Sequence, residues 1–479
     1  MSAGKRLKIY LKSLPGKCLP DNTPPRLLLF FIITVIFSLT SILAGLFIDG
    51  SAGMHNAAVA VCFFVLYLIT FAMIFLMARP GTDGKLERYR RKLLVWSKII
   101  AVTLLIAFIV LAVVLIPWLF NNDMLLFGKI QIPPVTSDHI ALTYQANQAL
   151  LDGKNPYTNT NIITAMKDFP DINPTCLRQG DFADVYPYPS DEQIEEALAK
   201  ARANPDMLPL EFESKLNYPA GAFLLRTPFD AIGMDPQIFY MLCILAMSVF
   251  IAWKAPPRLR SVAVIGCAAS LLIWLSHFFG ATESIYILFI LLGWTLRKRP
   301  WLAAIMMGIA CTSKQTAWFF IPFYLVLLLR EIGWRKTMIN VAIIGIVFAL
   351  TNLPFIIADP QAWASGVLAP IIEPLYPSGI GIAAFATLSD TPAPQIVFTV
   401  LEIAALIGTL WWYYLNCRKA PQTGLLLAIV PLFLAWRSQF AYFIMIPLLV
   451  FGAVIIEEYK NRGSSSKPSP VPDSPQAKG

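Results

Sequence analysis

Charge is scarce in this chain: Asp, Glu, Lys and Arg make up 14% of its 479 residues, while 57% are hydrophobic. A soluble surface is normally about 25–35% charged, so this balance excludes an ordinary soluble globular protein. Histidine is scarcer still, and His55, His139 and His277 lie too far apart in sequence to form a ligand cluster at metal-site spacing. The seven cysteines are scattered singly with no Cys-x-x-Cys pair, and Cys176 stands alone in the largest polar segment, which rules out a disulfide within it. No Lys/Arg run is interleaved with stacking aromatics, so the net charge of +9 does not mark a nucleic-acid surface.

Long apolar runs are what the sequence has in abundance, and they recur near the bilayer-spanning length of about 20 residues. The first, 27–48, follows a basic leader (KRLKIYLKSLPGK) and is too long and too late for a cleavable signal. Further runs fall at 57–78, 98–119, 237–253, 261–276, 282–296, 301–313, 317–330, 337–355, 396–415, 422–436 and 440–456. They predict an all-α polytopic membrane protein with about 12 transmembrane helices, within a range of roughly 10–14. Several runs are short, and 301–313 with 317–330 reads as a pair of half-helices.

Basic residues set the expected orientation. The leader, KLERYRRK (85–92), KAPPRLR (254–260), RKR (297–299), REIGWRK (330–336) and Arg418-Lys419 alternate correctly if all are cytoplasmic. The chain then divides into a cytoplasmic basic N-terminus (1–26), three spans (27–120), an extracytoplasmic loop (121–236), the remaining spans (237–456) with a second outer loop at 356–395, and a low-complexity cytoplasmic tail (457–479) expected to be disordered. The outer loop carries 16 acidic and 8 basic residues, net −8, which leaves +17 for the rest of the chain. The basicity is therefore topological.

The outer loop opens with SDHIALTYQANQALLDGKNPY, from Ser137. Ile140, Tyr144, Ala149 and Leu150 recur at helical spacing, Ser137 can cap the start and Gly153 can end the helix. Asp138 then sits in the first turn, near the outer membrane face. There it either complements the helix dipole and caps backbone N–H groups or serves as a general base at the membrane surface. A second helix is expected at 190–204, capped by Ser190 or Asp191 and solvated. The Tyr-Pro pairs of DFADVYPYPS and LNYPAGAFLLRTPF either punctuate the loop or present rings to a groove, and they make Asp184 and Tyr218 groove candidates. Lys314, between two apolar halves, Arg437, outside against the charge trend, and Glu283 with nearby His277 complete the outer charged set. Each cation could snorkel to headgroups, whereas their convergence with carboxylates would suit an anionic lipid-linked ligand.

Asp138 followed by a helix, then GKNPY (153–157), NYPAGAFLLRTPF (217–229) and GIACTSKQTAWFFIP (308–322), resembles the membrane glycosyltransferases of the GT-C fold. The likeness is greatest to their mannosyltransferase-type branch, which uses polyprenyl-phosphate sugars. It runs from the third span to the last, with YPA standing where YPP is usual. The resemblance implies a hexosyltransferase in the cell envelope with Asp138 as the catalytic carboxylate. Lys314 and Arg437 would contact the donor phosphate, and His139, Tyr157, Asp184, Tyr218, His277 and Glu283 would be groove candidates. The expected partners are a polyprenyl-phosphate-linked sugar, a lipid or glycan acceptor and membrane lipids, with no nucleic acid, cofactor or metal. A phosphate leaving group is already a stable anion and needs no general acid, so one base and one cation suffice for an inverting displacement. Two other classes share many spans and buried charges: a lipid or polyprenyl-glycan transporter or flippase, and a membrane assembly protein without chemistry.

Overall fold

The computed structural model describes residues 19–47, 57–121, 125–126, 130–131, 137–170, 172–386, 388, 391 and 394–461. The basic leader up to residue 18 and the tail from residue 462 lie outside the described residues. The chain is mostly helical. Its principal helices are α1 (Pro25–Phe47), α2 (Ala57–Ala78), α3 (Arg90–Asn121), α4 (Asp138–Leu151), α5 (Asp191–Ala203), α6 (Pro236–Lys254), α7 (Arg260–Ala269), α8 (Leu271–Phe278), α9 (Ser284–Thr295), α10 (Pro300–Ser313), α11 (Phe320–Ile332), α12 (Trp334–Ala358), α13 (Pro360–Val367), α14 (Gln395–Asn416), α15 (Thr423–Leu427) and α16 (Ile446–Asn461). Two small sheets depart from an all-α architecture: β1 (Leu125–Leu126) pairs antiparallel with β2 (Ile130–Gln131), and β3 (Ser378–Gly379) pairs parallel with β4 (Arg437–Ser438).

Every apolar run in the sequence folds as helix, and this is a membrane protein. Among the described residues, 7 helices are long and apolar enough to cross a bilayer, or 8 if α7 and α8, bent by 40° at Ser270, form one span. Apart from α1, three more apolar helices, α9, α10 and the stretch Thr423–Phe433, have only 10–17 residues. At 1.5 Å per residue these reach about 15–25 Å, short of the roughly 30 Å hydrocarbon thickness. They pack in the interior: α10 sits between α9 and α12, and Gly308 lets α12 approach so closely that a Cβ there would meet Val347 at 2.7 Å. Small residues at such crossings are what allow helices without a hydrophobic driving force to associate.

One end of the bundle gathers the basic turns. Arg26, with no exposed surface, binds Asp83 at 3.1 Å and Glu458 at 2.6 Å and donates to the Tyr459 hydroxyl at 3.2 Å, joining α1, the 79–86 turn and α16. Arg297 pairs with Glu331 and Glu457, and Arg418 donates to the Arg330 carbonyl. The turns at 79–86, 297–299, 330–336 and 418–419 are thus tied to one another or to the ends of α1 and α16.

The opposite end carries a separate core. Leu142, Ala146, Ile163, Phe182, Phe212 and Phe223 pack together with Ala197, Leu198 and Ala201 of α5. The Ser190 side chain and Gln193 form a capping box at the start of α5, as the S-D-E-Q run implies. This outer layer is laced to the membrane helices by specific bonds. Asn352 of α12 accepts from the Ala220 N–H at 3.0 Å, Gln315 donates to the Asn217 and Val367 carbonyls, and Ser137 donates to the Gly280 carbonyl at 2.8 Å.

Substituting Arg26→Met should leave Asp83 and Glu458 without their shared cation in a nearly dry site. Loss of one partner from such a group costs about 3–5 kcal/mol. The thermal midpoint in detergent should fall by several degrees, and an unchanged midpoint would mean that the cation contributes nothing to holding α1 against α16.

Candidate functional site

Asp138 is the first residue of α4, where the Ser137 hydroxyl caps the helix by accepting from the Ile140 N–H. Its half-buried carboxylate accepts from the His139 backbone N–H at 2.7 Å through Oδ1 and from the Thr175 hydroxyl at 3.0 Å through Oδ2. Each oxygen keeps a lone pair for another proton donor. A capping function and an available base are therefore compatible here.

Thr175 connects the carboxylate to a cation. A single antiparallel bridge between Cys176 and Phe212, flanked by the Glu213 N–H donating to the Thr175 carbonyl at 2.9 Å, places Thr175 beside Glu213. Arg437 reaches the same pair, its Nη2 lying 3.5 Å from the Thr175 hydroxyl and its Nη1 3.6 Å from Glu213. Arg437 is held in place by the β3–β4 pairing and by the Trp436 indole, which donates to the Leu375 carbonyl at 2.5 Å. Leu375 in turn bridges Leu177, so the segments 175–178, 374–379 and 436–438 form one laced unit. Both of its contacts are long, and the Arg437 side chain is 23% exposed. Glu213 is 4% exposed with one carboxylate oxygen lacking any hydrogen bond, and burial, only partly offset by Arg437, raises its pKa above the ordinary glutamate value.

A second charged pair lies at the α9 and α10 ends. Lys314 Nζ is 2.6 Å from Glu283 and donates to the Thr282 hydroxyl at 3.2 Å, with the two side chains only 12% and 2% exposed. Lys314 ends α10 with extended backbone, as its position between two apolar halves predicts. Gly221 lets the 221–224 turn pack on the same end of α10, where a Cβ would lie 2.6 Å from the Thr312 carbonyl. Tyr442 sits in the electrostatic field of both pairs, sensing Arg437 and Glu213 on one side and Lys314 and Glu283 on the other.

His139 is buried against the Tyr218 ring, centroids 3.9 Å apart, and the edge of Tyr240 at 6.1 Å. Neither ring nitrogen has a hydrogen-bond partner. Burial, reinforced by Lys314 and Arg226, pushes its pKa well below the usual histidine value, so it stays neutral at physiological pH. Asp138, His139, Tyr218, Glu283, Lys314 and Arg437 are therefore brought to one region.

The other sequence candidates lie apart from this group. His277 is fully buried: Nε2 accepts from the Ser284 N–H at 3.0 Å and Nδ1 faces the Ile273 carbonyl at 2.8 Å, so it fixes the turn into α9 and offers no atom to a groove. Asp184 is exposed beyond the 180–182 turn and bonds to none of the site residues. Tyr157 is buried and clamps the chain beneath the site, donating to the Tyr218 carbonyl at 2.9 Å. Thr175, Glu213 and Tyr442 were not singled out in the sequence. Nor was the fully buried Arg226, which pairs with Asp230 at 2.9 Å and donates to Thr143 at 3.0 Å, bracing α4 from below.

Among the described residues no group of three or more His, Cys, Asp or Glu side chains is placed to hold a metal ion. No protein-family model, curated protein or solved structure matches the chain.

The neutral buried imidazole has a sign that can be checked. The folded pKa of His139 is depressed, so its contribution to stability is present above about pH 6.5 and is lost as pH falls below that value. The loss is about 1.4 kcal/mol per pH unit until the folded pKa is reached. His139→Phe should flatten part of the fall in detergent thermal midpoint between pH 7.5 and 5.5. An identical pH slope in the variant would show that His139 is not buried neutral.

Proposed function

We propose that this protein is an integral membrane glycosyltransferase of GT-C type that moves a hexose, such as mannose, from a polyprenyl-phosphate donor to an acceptor hydroxyl. One observation carries this reading. A half-buried carboxylate, Asp138, and a loosely held guanidinium, Arg437, are joined through a single hydroxyl, Thr175, at the end of the bundle opposite the basic turns. The ordered motifs that resemble the GT-C family support it, since they supply Asp138 and its helix.

In this mechanism the acceptor O–H gives its proton to Asp138 while its oxygen attacks the anomeric carbon. The bond from that carbon to the phosphate oxygen breaks, and its electron pair leaves on the phosphate, inverting the centre. Arg437 takes the developing phosphate charge, a role in which preorganised cations contribute most. Its contacts to Glu213 and Thr175 are long enough to be exchanged for phosphate oxygens. Lys314 is compensated by Glu283, and we assign this pair to shaping the donor pocket and Arg437 to contacting the phosphate. The twelve-span topology with both termini cytoplasmic belongs to the same proposal. Contact among the basic turns supports it, because the positive-inside rule then puts the Asp138 end outside.

Asp138→Asn keeps the capping geometry, since Asn caps helices about as well as Asp, but it cannot accept the proton. Transfer of radiolabelled hexose from polyprenyl phosphate to membrane lipid extracts should fall by about 10²–10⁴-fold with the thermal midpoint unchanged. Near-wild-type transfer by the variant would reduce Asp138 to a cap and remove the catalytic assignment.

A further inference from the structure

Away from the Asp138 cluster, the outer layer contains a cavity of about 510 Å³ between the 157–164 turns, the 205–215 segment and the start of α13. Its wall mixes polar side chains, among them Asn161, Thr164, Asp206, Lys215, Asp359 and Gln361, with at least as much apolar surface, including that of Tyr157. Asp206 and Gln361 are exposed at the rim and make no hydrogen bond or ion pair within the protein. The Asp359 carboxylate caps α13 through one oxygen, accepting from the Ala362 N–H at 2.8 Å, which leaves the second oxygen for another donor.

We propose that this cavity is a binding site for a neutral, hydroxyl-rich oligosaccharide, the distal part of a glycan acceptor. Carboxylates and amides placed together recognise adjacent hydroxyls by paired donation and acceptance. Two carboxylates against one lysine disfavour a phosphate, and polar groups set among apolar wall suit the hydroxyls and C–H faces of a sugar. Position fits the same occupant. The wall residues Thr164 and Asn161 are bonded to Gln145 of α4, the Asn161 N–H donating to Gln145 Oε1 at 2.7 Å. Gln145 is seven residues along the helix from Asp138, a rise of about 10 Å. An extended chain seated in the cavity would thus have its other end about two helical turns away, at the catalytic carboxylate. Tyr157 spans the interval, touching the cavity while its hydroxyl holds the Tyr218 backbone beside His139. This inference rests on the glycosyl-transfer reading for its name as an acceptor site, but its test does not require turnover.

The test is binding of mannotriose, maltotriose and chitotriose to the full-length protein in detergent, by saturation-transfer NMR and titration. At least one trisaccharide should bind in about the millimolar range. Binding should weaken at least tenfold in the Asp206→Ala/Gln361→Ala double variant, vanish in Ala362→Trp, which fills the space, and persist in Asp138→Asn. The double variant removes only exposed rim side chains, Ala362→Trp adds bulk at a half-buried position, and an unchanged thermal midpoint verifies the fold of each. If any transfer is measured, they should raise acceptor KM and leave donor KM alone. Absence of saturation by all three trisaccharides, or equal binding by the wild type and both cavity variants, overturns the proposal. Intact, cavity-dependent binding in a protein without transfer activity supports the cavity and removes only the reading of it as an acceptor site.

Discussion

A charged side chain in hydrocarbon is costly without a partner, and this fold collects most of its buried charges into two sets at opposite ends of the helices, Glu402 within α14 standing outside both. At one end Arg26 is sunk completely between Asp83, Glu458 and Tyr459, with Arg297 and Arg418 bonded nearby. That cluster joins the first helix to the last and fixes the bundle's registry. At the other end the polar layer is attached through Asn352, Gln315 and Ser137, and the charges gathered there include Asp138, Glu213, Glu283, Lys314 and Arg437.

The two cations at this second end are treated differently. Lys314 is buried and in close contact with Glu283, an arrangement that fixes geometry. Arg437 is partly exposed, and its contacts to Glu213 and Thr175 are long. A loosely bound guanidinium next to a carboxylate suits a reaction in which one group takes a proton while the other takes a negative leaving group. A transporter would use such charges to carry a ligand between two states, and an assembly protein would use them to anchor. Neither role calls for a carboxylate whose two oxygens are oriented by a backbone N–H and a threonine hydroxyl while lone pairs remain for a substrate.

Local features of the fold were legible where a local signal existed. Apolar length located the helices, Ser137 and Ser190 marked two helix starts, and the break at Lys314 separated α10 from α11. How many of these helices cross the bilayer was less legible, because the short, buried α9 and α10 read like spans in composition while their length falls short. Asp138, Lys314, Glu283 and Arg437 stood out because each is a charge beside an apolar run. Thr175 and Glu213 could not be found that way: they lie in irregular segments and acquire meaning only when the Cys176–Phe212 bridge sets them side by side. His277 misled for the complementary reason. Its ring is consumed by the Ser284 N–H seven residues later, a contact that sequence spacing does not reveal.

The claim on which the functional account turns is that Arg437 receives a lipid phosphate while Asp138 does not. Binding of a sugar-free polyprenyl phosphate to the detergent-solubilised protein, followed as ligand-induced thermal stabilisation, separates the two. The account predicts concentration-dependent stabilisation of the wild type and of Asp138→Asn, and little or none for Arg437→Gln. Equal stabilisation of Arg437→Gln and the wild type would contradict it.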